Sequence, residues 1–213
     1  MMKHLFGIVL GTIILAVAPV ASSCATETVR VAVQKTGTFA WELAVIRAHG
    51  LDREANISID VSELASTEAG KIALRSGNAD LILSDWLWVS RERSLGAKDR
   101  IAMVGYVFDE NWGNAHRDLL RRFLAVTSKA KDILSTSDAD WETIAPLTGA
   151  SDPATLRAYR DRYREGIPRR AIADEEADAR VLYRVLAEAG GRDLVGTAQE
   201  LAPGTFYHPA PGE

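Results

Sequence analysis

Hydrophobic residues recur with two different periods along the first half of the chain. Runs with a period of two predict β-strands, and apolar residues at helical spacing, closed by glycine, predict helices. The strands are predicted at 29–33, 56–61, 79–83 and 100–104, and the helices at 39–46, 71–75 and 86–94. This alternation predicts βαβ units with right-handed crossovers and a mainly parallel sheet.

The second half of the chain is predicted to be mostly helical. A strand candidate lies at 106–108, helical patterns lie at 118–130 and 176–189, and helix starts lie near Ser137 and Asp152. The last helical pattern has an apolar stripe from Val181 to Ala189 and ends at Gly190-Gly191. The residues after Pro203 predict a loop.

The first 25 residues have the pattern of a secretory signal peptide. A short basic start precedes an apolar run from Leu5 to Val20, and small residues surround a cleavage position after Ala25. The run is near the lower length limit of a membrane span, so a retained single anchor is an alternative. Cys24 offers another, a lipid-modified first residue that tethers the protein to a membrane. We therefore expect a periplasmic protein that is exported by a cleaved signal peptide.

The composition is that of a globular protein and gives no support to nucleic-acid binding. Of the 213 residues, 47% are hydrophobic and 25% are charged, and the formal net charge is −4. Arginine clusters such as the one at 157–164 are interleaved with acidic or apolar residues, as on a solvated helix face. Cys24 is the only cysteine, so an internal disulfide is excluded.

Polar residues follow the predicted strands at the points where helices begin. Thr36-Gly37-Thr38 comes after the first strand, and Ser84-Asp85 comes after the third. In an open α/β sheet, ligands bind at the carboxyl ends of strands, where helix N-termini present free N–H groups. The alternative is that Thr38 and Asp85 only cap their helices.

Aromatic residues begin the same two helices, at Phe39, Trp41, Trp86 and Trp88. Such residues either pack in a core or provide the flat apolar walls of a cleft. Asp85 beside them would repel an anion, so the pattern favours a neutral or cationic ligand, or a hydroxyl. Lys35 is close in sequence and would reverse this preference if it reached the same site.

Neither a catalytic nor a metal-binding arrangement is indicated. The histidines at 49, 116 and 208 are far apart and lack metal-ligand spacing. The chain has no Gly-x-Ser-x-Gly motif, and no nucleophile is accompanied by a base. Asp174-Glu175-Glu176 is typical of a helix start, where acidic residues favour the helix dipole. We expect a protein that is not an enzyme and that uses no cofactor and no metal.

Strand 29–33 leads into a Thr-Gly-Thr-Phe-Ala-Trp loop, and the segment Leu-Arg-Ser-Gly-Asn-Ala-Asp-Leu follows at 74–81. Together, in this order, these segments resemble the periplasmic solute-binding proteins of ABC importers. Three further segments, at 84–91, 190–196 and 203–206, are similar to an uncharacterised branch of this family. The chain is most similar to the nitrate, sulfonate and taurine type, which includes thiamine-precursor binders. The resemblance covers most of the chain after the signal peptide.

The resemblance implies an α/β fold of the periplasmic-binding-protein type II, here as a single lobe. A mostly parallel sheet would be flanked by helices, with a helical C-terminal part. Family members clamp their ligand between two lobes, whereas here the strand ending at Val104 passes directly into 105–108, which resembles the strand returning from lobe two. An internal deletion of most of the second lobe is therefore implied. The expected units are a signal peptide (1–25), a first segment of the lobe (26–104), a returning strand with a helical segment (105–206) and a flexible tail (207–213).

The implied function is capture of a small solute in the periplasm for delivery to an ABC permease in the inner membrane. Loss of lobe two would impair it, because hinge closure needs two lobes. The expected ligand-binding residues are Thr38, Phe39, Trp41, Thr67, Ser84, Asp85 and Trp86. The alternatives are an exported, non-enzymatic protein-interaction module and a non-functional truncated relic.

Overall fold

The computed structural model of the protein describes residues 25–35, 37–102 and 105–209. The strands in these ranges are β1 (Glu27–Gln34), β2 (Ile57–Leu64), β3 (Leu81–Leu83), β4 (Asp99–Ala102) and β5 (Tyr106–Asp109). The helices are α1 (Thr38–His49), α2 (Leu51–Glu54), α3 (Thr67–Arg75), α4 (Trp86–Ser94), α5 (Glu110–Ala115), α6 (Arg117–Thr136), α7 (Asp138–Thr148), α8 (Pro153–Gly166) and α9 (Ile172–Val195). The predicted signal peptide up to Cys24, the predicted strand end at Val104 and the end of the predicted tail lie outside the described residues. None of the described helices is long and apolar enough to span a membrane.

The strands form one open sheet in the order β2-β1-β3-β5-β4. Strand β1 pairs in parallel with β2 and β3, and β5 lies antiparallel between β3 and β4. Three residues separate β4 from β5, too few for a crossover, so the two strands pair as a hairpin. The prediction of a mainly parallel sheet is confirmed, since β5 is the one described strand that runs against the others.

Helices cover both faces of the sheet because alternate strand residues point to opposite sides. On the first face, Val31 and Tyr106 belong to a core that includes residues of α1, α6, α7 and α8. On the second face, Ala32 and Val107 belong to a core that includes residues of α3, α4 and α9. The first and second halves of the sequence therefore both contribute residues to the two cores on either side of one sheet.

A buried polar cluster lies within the core of the first face. The Glu42 carboxylate accepts hydrogen bonds from the Tyr106 hydroxyl at 2.6 Å, from Lys131 Nζ at 2.6 Å and from the Tyr163 hydroxyl at 3.0 Å. The side chains of Glu42 and Lys131 are only 5% and 10% exposed. Burial, followed by the negative charge of Glu42, raises the pKa of Tyr106 well above its ordinary value. This cluster ties α1, α6 and α8 to strand β5.

Capping residues set helix ends where the sequence indicates them. Gly50 adopts a left-handed conformation, with φ 66°, and ends α1. At the start of α8, the Asp152 carboxylate accepts the backbone N–H groups of Ala154 and Thr155 at 2.8 and 2.9 Å. The bond from the Thr155 N–H, together with the hydroxyl bonds that follow it, lowers the pKa of Asp152 to about 2.

Helix α9 turns a different face to the core than its apolar stripe suggests. Ala179 and Tyr183 are buried, whereas Val181, Leu182 and Val185 are 54%, 47% and 53% exposed. The Tyr183 hydroxyl lies within hydrogen-bonding distance of the backbone carbonyls of Val195, at 3.1 Å, and Ala198, at 3.2 Å. This contact orients the helix. The glycine pair was predicted to end the helix, but α9 continues to Val195 and is only interrupted by non-helical backbone angles at Gly191.

The described part of the C-terminal segment, residues 196–209, forms no helix or strand of its own, and its residues around Phe206 lie along the outer edge of β4. The Ile101 N–H donates to the Thr205 carbonyl at 2.9 Å, and the Tyr207 N–H donates to the Ile101 carbonyl at 2.8 Å. Ile101 and Phe206 form an isolated parallel bridge. Thr205 is fully buried, so the loop predicted after Pro203 is packed against the lobe.

Candidate ligand-binding cavity

The connection between β3 and α4 lies at the carboxyl end of the sheet. It consists of Ser84 and Asp85, because β3 ends at Leu83 and α4 begins at Trp86. The Ser84 N–H donates to the Gly105 carbonyl at 2.9 Å, which holds the β4–β5 turn beside this connection. The Asp85 carboxylate caps α4 by accepting the N–H of Trp88 at 2.8 Å. Asp85 therefore caps α4, and it also lines the cavity at this edge of the sheet.

A cavity of about 740 Å³ opens at this edge of the sheet. It is lined by the ends of β3 and β4, the start of α4, helix α9 with the residues before it, one residue of α6 and the C-terminal segment. Its apolar wall consists of Leu83, Trp86, Ile101, Ala102, Leu124, Pro168, Ile172, Ala179, Leu182, Phe206 and Pro209. A volume of this size and a mostly apolar wall are typical of small-molecule sites.

The Ser84 hydroxyl is a polar group that the protein leaves unsatisfied. Ser84 lines the cavity, and its hydroxyl oxygen is buried without a hydrogen-bond partner among the described residues. Buried hydroxyl groups are normally paired, and each exception calls for an explanation. A polar atom of a bound solute would supply the missing partner.

Four charged residues also line the cavity, and three of them are acidic. These residues are Asp85, Arg170, Glu175 and Asp178. Arg170 donates to the Asp178 carboxylate in an ion pair. This hydrogen bond, and next the attraction of Asp178, raises the pKa of Arg170, with smaller contributions from Glu175 and Asp174. The Glu175 side chain forms no hydrogen bond or ion pair within the described part of the chain, although its charge contributes to the raised pKa of Arg170.

The structure brings three of the predicted site residues together in the cavity: Ser84, Asp85 and Trp86. Thr67 is the first residue of α3, after the capping residue Ser66. It lines a separate depression of about 30 Å³ at the same end of the sheet, and Leu83 lines both spaces. The smaller space is too confined for a solute.

The predicted residues of α1 lie elsewhere. Thr38 is exposed and does not cap α1, because Gly37 occupies the capping position. Phe39 is buried and meets Tyr106 edge-on, with ring centroids 5.8 Å apart. Trp41 packs against Trp141 at 5.4 Å, and its indole N–H donates to a backbone carbonyl of α7 at 3.4 Å. Both aromatic rings therefore serve packing.

The two other residues considered at the sequence level also lie outside the cavity. Lys35 is exposed and is not part of the lining, so it does not reverse the effect of Asp85 there. Trp88 lies beneath two cations, with Lys71 Nζ at 5.0 Å and the Arg75 guanidinium at 5.8 Å from the ring centroid. Within the described ranges, no group of His, Cys, Asp and Glu is placed to hold a metal ion.

Sequence reasoning missed most of the lining, and α9 contributes the largest missed group. Ile172, Glu175, Ala179 and Leu182 recur at spacings of three and four, so they share one face of the helix. The acidic residues at 174–176 were assigned only to the helix start, where the structure also has them. The mixed apolar and acidic face was the available signal, because a solvated face seldom contains so many apolar residues.

Comparison with solved structures supports the assigned fold. The alkanesulfonate-binding protein SsuA from Xanthomonas axonopodis pv. citri, solved with MOPS bound, superposes with a TM-score of 0.61 at 11% identity. The match covers 88% of this chain and 100% of that chain. A protein from Bordetella bronchiseptica RB50 matches 36% of this chain at 17% identity; the chain spans only 24% of that protein, and the TM-score of 0.33 carries no weight. No protein-family model and no curated protein sequence matches the chain.

Fold and comparison together define a class. The chain is a mixed α/β lobe with the fold of the periplasmic solute-binding proteins, type II-like, with an open five-stranded sheet between helices. This assignment confirms the predicted fold class. At 11% identity the similarity establishes the fold and does not extend to the ligand.

Proposed function

We propose that the chain is the substrate-binding component of an ABC-type importer. In this role it captures a small solute in the periplasm and delivers it to a permease in the inner membrane. The observation that carries the proposal is the cavity of about 740 Å³ at the carboxyl ends of β3 and β4. Ligands of open α/β sheets bind at this position. A protein named for binding alkanesulfonates has a similar fold, which supports solute capture in general.

The proposal includes the absence of most of a second lobe. Strand β5 follows β4 after three residues and enters the same sheet, which fits a chain that returns without building another lobe. Helix α9 lines the cavity from the second half of the sequence, so the cavity has walls from both halves of the chain. Because hinge closure needs two lobes, we expect weaker binding than that of a two-lobed receptor.

Thermal unfolding of the purified protein tests solute capture. The panel contains sulfonates, nitrate, amines, alcohols and small carboxylic acids. A solute that binds only the native state stabilises it by about 2.7 kcal/mol at a concentration one hundred times its dissociation constant. We expect at least one member of the panel to raise the unfolding midpoint.

Two tryptophan substitutions on α9 connect such a shift to the cavity. Leu182→Trp enlarges a side chain that lines the cavity. Val185→Trp makes a similar enlargement one helical turn away, at a residue that is not part of the lining. Both positions are about half exposed, at 47% and 53%, so neither change disturbs the core. We expect the ligand-induced shift to disappear in the first variant and to persist in the second. An equal shift in both variants would place the binding site elsewhere.

A protein-interaction module is the second candidate, and the exposed side chains of α9 favour it. Val181 and Val185 are more than half exposed on one helix, and apolar surface of this kind occurs at contacts between proteins. Cooperative unfolding that no solute shifts would support this candidate over the receptor. The absence of any cooperative transition would identify the chain as a truncated relic.

A further inference from the structure

The charge balance of the cavity limits the chemistry of its ligand. Three carboxylates, from Asp85, Glu175 and Asp178, line the space together with one guanidinium, from Arg170. Among these four groups, Arg170 and Asp178 form an ion pair, so their charges cancel each other. The carboxylates of Asp85 and Glu175 form no ion pair among the described residues, although the charge of Glu175 also acts on Arg170. The lining therefore carries an excess of negative charge.

Arg170 is poorly placed to attract an anion. Its guanidinium is already bonded to Asp178, and its raised pKa reflects the further attraction of Glu175 and Asp174. An anionic ligand would have to compete with Asp178 for this group and would also face the carboxylates of Asp85 and Glu175. Like charges in one cavity oppose binding, whereas a cation gains from the same groups.

The uncharged part of the lining indicates the rest of the ligand. Trp86, Ile101, Leu124, Leu182 and Phe206 offer aromatic and branched aliphatic surface. Trp86 directly follows Asp85, so one element presents an aromatic ring and a carboxylate to the same space. Cations bind favourably to the faces of such rings. An apolar body with a positively charged head matches both features.

We propose that the cavity takes an amphipathic organic cation, an amine with an aromatic or branched aliphatic body. This inference rests on the proposed function, because it assigns the ligand class of the same site. The ammonium group lies toward Asp85 and Glu175, and the apolar body occupies the remainder of the cavity. The Ser84 hydroxyl, which lacks a partner in the protein, is available to a polar atom of the solute.

Three probes with one shared body test the sign of the charge: phenethylammonium, 2-phenylethanesulfonate and 2-phenylethanol. Their affinities are measured by titration calorimetry at neutral pH and low ionic strength. We expect the ammonium probe to bind at least about tenfold more tightly than the sulfonate probe, with the alcohol between them.

A pair of charge-neutralising variants assigns the effect to the cavity. Glu175→Gln removes a lining carboxylate, and Glu188→Gln removes the same charge from an exposed position of α9 outside the lining. We expect the first to weaken binding of the ammonium probe about threefold and to leave the alcohol unaffected. The second is expected to change neither value.

The outcomes separate the inference from the function on which it rests. If the sulfonate or the alcohol binds more tightly than the ammonium probe, and Leu182→Trp abolishes that binding, the receptor stands and the cationic ligand class is refuted. An equal effect of Glu175→Gln and Glu188→Gln also refutes it, because the preference would then come from overall charge. If none of the three probes binds up to about 10 mM, the cationic ligand class is refuted, and the thermal-unfolding panel decides separately on the proposed function.

Discussion

The buried ion pair between Glu42 and Lys131 gives the sharpest stability prediction. Lys131→Met removes a cation that donates to Glu42 at 2.6 Å and to the Tyr106 hydroxyl at 3.1 Å. The carboxylate that stays behind is 5% exposed and retains only two phenolic donors. Stranding one partner of a buried pair costs about 3–5 kcal/mol.

The expected loss in free energy of unfolding is large enough for routine measurement. For a chain of this length, each kcal/mol lowers the thermal midpoint by about 2–4 °C, so Lys131→Met is expected to lower it by about 6–20 °C. Urea unfolding at pH 7 gives the free energy directly, and an unchanged denaturant slope would confirm that two-state unfolding is retained. Lys129→Met is the matched control on the same helix. Its partner is Glu54 at 3.3 Å, and both side chains are more than 60% exposed, so a change of less than about 1 kcal/mol is expected.

A double variant tests the cause of the loss. Glu42→Gln combined with Lys131→Met leaves no buried charge. Tyr106 and Tyr163 donate to different oxygens of Glu42, so the amide oxygen of Gln keeps one of these hydrogen bonds and the amide NH2 can donate to the other hydroxyl. We therefore expect the double variant to be more stable than Lys131→Met alone. If it is equally or less stable, the stranded carboxylate is not the source of the loss. A loss below about 1 kcal/mol in Lys131→Met would show that the pair is hydrated in solution.

Three further predictions concern single contacts. Ser90→Ala is expected to cost about 1–3 kcal/mol in urea unfolding, because the buried N–H of Ala202 loses its acceptor at 2.9 Å; no change would mean that water replaces the hydroxyl. Asp152→Asn keeps a capping side chain but cannot titrate. The pKa of Asp152 is lowered to about 2, so the extra stability of the unmodified protein over this variant should be full above the ordinary pKa of 3.8 and vanish as the pH falls through 2. A stability difference that does not depend on pH would contradict this. Gly113→Ala would place a methyl carbon 2.5 Å from the Phe108 ring, so we expect a loss of about 1–3 kcal/mol in the same assay, unless the ring can shift.

Much of the sheet could be predicted because its strands show their own periodicity. The alternation in 56–61 predicts β2, and the glycine after α1 predicts its end. The short helix α5 was not predicted, since six residues contain less than two turns and show no clear period. Its start is nevertheless encoded, because the Asp109 carboxylate accepts two backbone N–H groups of that helix at 2.8 and 3.0 Å.

The candidate site was less predictable, because its walls come from distant parts of the chain. The strand-end rule located Ser84, Asp85 and Trp86 from local sequence alone. The same rule suggested Phe39 and Trp41, but α7 and α8 return more than a hundred residues later and cover the start of α1. Periodicity shows that a helix has an apolar side without showing which neighbour will meet it, which is why the exposure of the apolar stripe of α9 could not be anticipated.

The C-terminal segment along β4 has a consequence for association between molecules. Strands β2 and β4 form the two edges of the sheet, and unpaired edge groups are a template for strands of another chain. The outer strand β2 carries Asp60 and Glu63, whose charges discourage such pairing. At β4, the N–H and carbonyl of Ile101 are bonded to the segment around Phe206. A chain cut before Pro203 would free that edge, and the result would be aggregation through edge-to-edge strand pairing.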